Sequence, residues 1–411
     1  MRRVAITGVG VITPVGCTVD TFWENIRAGR HGIAKVENVD MTGQKISLAA
    51  QVKDFDPEAY MDKHEARRLD PYARFATAAA VIALADCGTD FADLDPFRVG
   101  VMIGSGVGGL QTLESNHSKF VEKGPGRVSA LMIPMMIANA ASGHVAMRTG
   151  FKGVNYATVT ACSSSTHAVG EAFHAIRDGY ADAAVAGGAE ATITPFALGG
   201  FANMTALCTS TDPDRASIPF DAERSGFVMG EGGGVLILEE WEHAKARGAK
   251  IYAEMVGYAT TNDAYHITSP DPEGLGLAKS MEFALKDAGL QPDDIGYINA
   301  HGTSTPPNDS TETKAIHTLF GAHADKLCVS STKSMTGHML GATGAVEAIV
   351  AALSLRDGVV PPTVGYKVKD PVCDLDYVTE GARELDYDYA LSNTMGFGGH
   401  NATVCLKKFR G

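Results

Sequence analysis

The sequence predicts an α/β protein built on a largely parallel sheet, because short apolar runs of strand length alternate with alanine-rich runs of helix length. Three stretches carry that expectation. Ala73 to Cys87 is rich in alanine and reads as a helix. Val99-Gly100-Val101-Met102-Ile103-Gly104 reads as a buried strand. Val154 to Ala161 reads as another, halting at Cys162 where a helix over 163–177 begins.

The remaining elements follow the same grammar. Val4 to Gly8 is a short strand ending in a glycine turn, and Ala181 to Ala186 is a strand closed by Gly187-Gly188. In the second half, Lys250 to Gly257 reads as a strand, Leu275 to Ala288 as a helix, and Ile295 to Ala300 as a strand ending at His301. Leu327 to Ser331 precedes Lys333, and Gly344 to Leu355 is an alanine-rich helix. A helix ending in Arg-Asp-Gly occurs in both halves, at 177–179 and 356–358, which points to internal duplication. No low-complexity linker separates the halves, so they are expected to pack as one unit.

Composition excludes several classes. A net charge of −13 disfavours a nucleic-acid partner, since phosphate backbones attract basic faces. It leaves room for an acidic protein partner at a local basic patch, such as Lys63 to Arg68 with Arg74, although composition alone reads that run first as a solvated helix face. The seven cysteines are scattered and unpaired in spacing, as expected of free thiols in a reducing cytoplasm. The N-terminus runs directly into a strand pattern without a secretory leader, and no apolar run approaches the ~20 residues of a membrane helix.

Four segments carry chemistry. Cys162 sits between strand and helix in Thr160-Ala161-Cys162-Ser163-Ser164, where unpaired N–H groups and the helix end favour a nucleophilic thiolate; a buried inert thiol is the competing reading. His301 opens His-Gly-Thr-Ser-Thr at a strand's C-terminal end, the face where α/β sheets bind ligands. His338 closes Lys333-Ser334-Met335-Thr336-Gly337-His338. Taken singly, each histidine reads first as structural, and neither has a partner at zinc-ligand spacing. Gly396-Phe397-Gly398-Gly399 is a loop able to swing a bulky side chain and to offer backbone donors to an oxyanion.

In this order and spacing the four segments resemble the β-ketoacyl-acyl-carrier-protein synthases, most closely the type II enzymes of fatty-acid synthesis, over nearly the whole chain. The resemblance implies a thiolase-like fold: two duplicated βαβαβαββ-type halves, 1–250 with the cysteine and 251–411 with the histidines, in five α-β-α-β-α layers. It implies an acyltransferase that condenses acyl chains with malonyl units on acyl-carrier protein, as a homodimer and without a cofactor. Cys162 would carry the acyl chain, and His301 and His338 would donate to the malonyl thioester carbonyl. The N–H groups of Cys162 and Phe397 would hold the oxyanion, with Phe397 as gate. Lys333 would orient the histidines, paired with Asp309 or Glu312, with Glu347 as a further supporting carboxylate. Thr303, Thr305 and Thr268 would contact the phosphopantetheine arm. Val107, where isoleucine is frequent, would end the acyl pocket. Arg67, Arg68 and Arg127 would dock the carrier, since Thr205 stands where some members have a base. A monovalent cation near Asn299, Glu347, Ser392 and Asn393 is implied by some relatives. His266 reads as structural, and His400, a threonine elsewhere, has no assigned role.

Rival readings are a free-standing polyketide ketosynthase with the same chemistry, and a non-catalytic partner of the chain-length-factor type, which would lack Cys162. Chain-initiating relatives with Cys-His-Asn and thiolases with a second catalytic cysteine fit less well, because His338 follows Lys333 and Gly337.

Overall fold

Ten strands form one sheet, and their order explains why the second half of the chain reads like the first. The computed structural model describes residues 1–411. The first half contributes β1 (Val4–Ile12), β2 (Val99–Gly104), β3 (Asn155–Tyr156), β4 (Ala183–Glu190) and β5 (Gly232–Glu240). The second contributes β6 (Ala253–Asn262), β7 (Ile295–Asn299), β8 (Cys328–Ser330), β9 (Tyr389–Gly396) and β10 (His400–Lys408). The helices that form the layers on the sheet are α1 (Pro71–Cys87), α2 (Ala140–Thr149), α3 (Ser164–Arg177), α4 (Leu275–Ala288), α5 (Pro306–Phe320) and α6 (Thr343–Asp357), with shorter or peripheral helices, among them 110–123 and 195–203, in the connections. Each half therefore runs β-α-β-α-β-α-β-β.

Strand order is β8-β7-β9-β10-β6-β1-β5-β4-β2-β3, so each half repeats the order first, fifth, fourth, second, third. Antiparallel pairing of β1 with β6 joins the halves. The two α3-type helices, α3 and α6, pack between the two five-stranded halves, α1 and α2 cover one outer face, and α4 and α5 the other. These are the five layers. A helix between two sheets has no solvent face, so it should be apolar all round. In α6 every residue from Thr343 to Leu355 is buried, and the first seven of α3, Ser164 to Gly170, are buried too.

The sheet is mixed, which corrects the expectation of a largely parallel one. Strands β2, β3 and β4 pair in parallel, as do β7, β8 and β9, but β5 and β10 run antiparallel to their neighbours. Crossover helices force parallel pairing only where they occur, and no helix-covered crossover separates the last two strands of either half. Several boundaries also move: β1 runs on through Gly8 to Ile12 instead of turning there, and β6 starts at Ala253 and reaches Asn262. The run 154–161 pairs only at Asn155 and Tyr156, because β3 is the sheet's last strand and the chain leaves it for the turn before Cys162. Gly187-Gly188 lies inside β4 rather than ending it: a Cβ at Gly187 would stand 2.0 Å from the Gly234 carbonyl oxygen, so glycine allows the two strands to approach.

Candidate active site

Cys162 lies in the single turn Ala161–Ser163 that leads into α3. Ala161 holds φ +51°, a left-handed conformation that costs a non-glycine residue about 1–3 kcal/mol and that gathers at functional sites. Ser164 braces the turn: its hydroxyl donates to the Ala161 carbonyl at 2.7 Å and accepts from the Thr160 N–H at 2.9 Å. The sulfur is buried. Burial pushes the thiol up to about 12, against the pull of the Lys333 charge and of the Phe397 and Cys162 N–H groups that reach it. The expectation of a resting thiolate is thus corrected, because desolvation outweighs the helix end.

The histidines come from the other half. His301 follows β7, and Glu312 on α5 accepts from the backbone N–H of His301 and of Gly302, both at 2.8 Å. His338 follows the short helix Lys333–Thr336, and its N–H donates to the Val228 carbonyl at 2.8 Å. Its Nε2 stands 3.0 Å from Cys162 Sγ, and its Nδ1 lies 3.1 Å from Thr343 Oγ1 at the start of α6. The two rings are 5.4 Å apart and nearly perpendicular, and one donor atom from each of Cys162, His301 and His338 falls within 4.8 Å of the others. Burial, with the nearby Lys333 charge, holds both imidazoles well below their ordinary 6.5, so both are neutral. Three such atoms are also a conceivable metal cluster. The Lys333 ammonium beside them disfavours a divalent ion, and His301 Nδ1 has no hydrogen-bond partner of the kind that orients metal-bound histidine.

Lys333 pairs with Glu347 of α6, Nζ to Oε1 at 2.6 Å, both 1% exposed. The expected pairing with Asp309 or Glu312 is corrected. Glu312 is engaged by the His301 loop, while Asp309 accepts from the N–H groups of Phe220 and Ser304 and sits 3.4 Å from Arg224. Both acids shape the histidine loop through its backbone instead. Glu347 is raised by burial and pulled back by Lys333.

A cavity of about 890 Å³ opens on the three residues. Val107, Thr268, Thr303, Thr305 and Phe397 all line it, as does Thr205. Thr303 and Thr305 share a hydroxyl contact at 2.9 Å. The Phe397 ring lies against Phe201, and its loop is tied down where the Gly398 N–H donates to the Ile267 carbonyl at 2.7 Å. His266 Nδ1 accepts from the N–H groups of Thr268 and Ser269 at 3.2 Å, which folds that neighbouring loop. Arg67, Arg68 and Arg127 are exposed and line no part of the cavity. The His400 ring packs under Gly398 and edge-on to His167.

The buried oxygens Asn299 Oδ1 and Ser392 Oγ, on register-paired residues of β7 and β9, and Glu347 Oε2, beside the oxygen that pairs with Lys333, lack hydrogen-bond partners. They suit a small cation. The Asn393 side chain does not join them, since its amide oxygen accepts from Thr403 at 3.0 Å and its nitrogen faces Met281.

Sequence reasoning missed three contributors. Phe227 packs edge-on against the His338 ring and Thr343 contacts its Nδ1; neither carries a sequence signal. Glu190, a lone acid ending the buried strand β4, was a legible anomaly.

A duplicated five-layer fold with a cysteine and two histidines meeting above its central helices defines a condensing enzyme of the thiolase superfamily. The comparisons narrow this. The family description "Beta-ketoacyl synthase, N-terminal domain" matches residues 1–244 and "Beta-ketoacyl synthase, C-terminal domain" matches 252–367. The chain belongs to the beta-ketoacyl synthase family. It is 50% identical to 3-oxoacyl-[acyl-carrier-protein] synthase 2 of Synechocystis over 410 residues, covering 100% of this chain and 99% of that one. It is 51% identical to the Staphylococcus aureus protein of the same name, covering 99% of each. Among solved structures, a beta-ketoacyl synthase from Burkholderia phymatum superposes with TM-score 0.92 at 34% identity over 100% of both chains. A type II polyketide ketosynthase, solved in complex with its acyl-carrier protein, gives 0.93 at 35% over 99% of both.

Proposed function

We propose that this enzyme elongates acyl chains on acyl-carrier protein by decarboxylative condensation in fatty-acid synthesis. The observation that carries this reading is the 3.0 Å approach of Cys162 Sγ to His338 Nε2 at the floor of a cavity that His301 also lines. In the first half-reaction Cys162 attacks the acyl thioester. Its proton passes to His338 and on to the departing phosphopantetheine thiol, leaving the acyl group on sulfur. In the second, malonyl thioester loses CO2, and the electron pair released moves onto the thioester oxygen, where N–H donors of neutral His301 and His338 stabilise the enolate. The enolate carbon attacks the Cys162 thioester, the N–H groups of Cys162 and Phe397 hold the oxyanion, and the sulfur leaves and takes up one proton. His338 must accept a proton in one step and donate in the other. The Thr343 hydroxyl can donate to or accept from Nδ1, so it supports either tautomer.

Lys333, backed by Glu347, adds its charge to burial in keeping both imidazoles uncharged and orients them, while Asp309 and Glu312 hold the His301 loop. Thr268, Thr303 and Thr305 contact the phosphopantetheine arm, and Val107 lines the acyl end. Arg67, Arg68 and Arg127 receive the acidic carrier. The substrates bring their own activated thioesters, so no cofactor is required. Asn299, Glu347 and Ser392 would hold a monovalent cation, which would supply a fixed positive charge beside the Lys333 pair. Residues 1–250 and 251–411 act as two halves of one site, one bringing sulfur and the other imidazole.

A second copy of the chain is the natural cover for the edge strand β3. Asn155 and Tyr156 are exposed there, near the exposed apolar side chains of Met147, Val154 and Val159. No helix is long and apolar enough to cross a membrane. A reducing cytoplasm suits seven free cysteines. Fatty-acid rather than polyketide elongation is favoured by 50% identity to the named fatty-acid enzymes against 35% to the polyketide ketosynthase. Incubation with acyl- and malonyl-carrier protein of several chain lengths, followed by mass, tests it: saturated acyl chains should yield the 3-oxoacyl product, and turnover of polyketide intermediates alone would refute the assignment.

A further inference from the structure

The duplication places a second turn opposite the cysteine turn. Leu340–Ala342 leads into α6 as Ala161–Ser163 leads into α3, and Leu340 at φ +45° matches Ala161 at φ +51°. Gly341 therefore stands where Cys162 stands in the other half. The Cys162 N–H is turned toward its own sulfur. The Gly341 N–H donates instead to a carboxylate, Glu190 Oε2, at 3.0 Å. The Gly106 N–H donates to the same oxygen at 2.6 Å. The other oxygen, Oε1, accepts from the Ser105 hydroxyl at 3.0 Å and from the Val107 N–H at 3.2 Å. Glu190 is fully buried at the end of β4; burial pushes its carboxyl up to about 7, and four donors rather than a cation pull against that rise. Space at the junction is closed: a Cβ at Gly341 would lie 2.2 Å from the Gly106 nitrogen, and one at Gly106 would lie 2.8 Å from Glu190 Oε2.

The two segments that this carboxylate bridges carry Val107 and Leu340, which both line the cavity beside Cys162. We propose that Glu190 is a specificity-determining positioning residue, a buried carboxylate that clamps the 105–107 loop to the 340–341 turn and so fixes the acyl-chain wall formed by Val107 and Leu340. It touches no reacting atom. Its effect is on which chain lengths fit, because a wall that can shift by a fraction of an ångström discriminates poorly between chains differing by a few methylenes. Glutamine is close in shape but can accept on one atom only. Its amide group would face either the Gly106 and Gly341 N–H groups, or the Val107 N–H together with the Ser105 hydroxyl. Of these, only the hydroxyl can turn to accept.

This inference rests on the acyl-transfer reading above, so the test uses loading of Cys162, which needs no condensation. Loading from short, medium and long acyl-carrier thioesters is followed by intact mass for native enzyme, Glu190→Gln and Ser105→Ala. Ser105→Ala removes one donor and keeps the carboxylate, so it reports even if Glu190→Gln fails to fold. We expect the ratio of loading rates between preferred and disfavoured lengths to fall about tenfold in Glu190→Gln and by a smaller factor in the same direction in Ser105→Ala. An unchanged ratio in the folded variants, or an equal loss at every length, overturns the proposal, since a purely structural strut would produce the latter. Failure of native enzyme to condense a chain it has loaded would instead sink the functional reading and leave the loading comparison standing.

Discussion

Cys162 Sγ and His338 Nε2 lie 3.0 Å apart although the residues come from opposite halves of a duplicated fold, and the sulfur is a thiol that burial pushes up to about 12. The nucleophile is therefore made at the moment of attack, by transfer to His338, and is not stored as thiolate. Alkylation of Cys162 by iodoacetamide should then climb through the ordinary thiol range, near 8.5, without levelling off. A plateau below pH 7 would reveal a preformed thiolate.

Removing one member of the Lys333–Glu347 pair leaves a bare charge in the protein interior. Glu347→Leu should cost about 3–5 kcal/mol in chemical denaturation, and pairing it with Lys333→Met should recover much of that loss. Activity should not return with stability, because the double variant lacks the Lys333 charge that adds to burial in holding both imidazoles neutral. A single variant as stable as native protein would refute the pairing.

The three reacting side chains were legible because each stands where one element gives way to the next, and short motifs show there in the sequence. The partner of Lys333 was not. Asp309 and Glu312 are near His301 in sequence, yet Glu312 is used up by N–H groups of the His301 loop and Asp309 by the N–H groups of Ser304 and Phe220 with Arg224 beside it, and the true partner arrives on α6 from the central layer. Strand direction failed for a related reason: periodicity marks a strand but not its neighbour, so the antiparallel β5 and β10 were invisible. The protonation of Cys162 was misjudged because local sequence displays the helix end and conceals the burial that overrides it.

The gate role that the family resemblance implies for Phe397 makes a kinetic prediction. Phe397→Ala should let malonyl thioester reach the histidines before Cys162 is loaded, so decarboxylation without any acyl donor should rise while condensation falls by about tenfold. Carbon dioxide release measured with malonyl-carrier protein alone checks this, and unchanged release would mean that Phe397 does not control entry.

The histidine roles separate cleanly in a background without the nucleophile. Cys162→Gln should keep or raise malonyl decarboxylation, and adding His301→Ala should lower it by roughly 10²-fold, as expected for losing one donor to a developing oxyanion. Normal decarboxylation in that double variant would remove His301 from the mechanism.

The most direct test of a sulfur and two imidazoles acting on one thioester is a single-turnover experiment with native enzyme. Acyl-carrier protein is added first, the adduct is mapped by peptide mass, and malonyl-carrier protein is then supplied. The expected result is an acyl group on Cys162 alone, which disappears as 3-oxoacyl product and CO2 form in equal amounts. Product formed with no adduct on Cys162, or an adduct there that malonyl-carrier protein does not discharge, would contradict it.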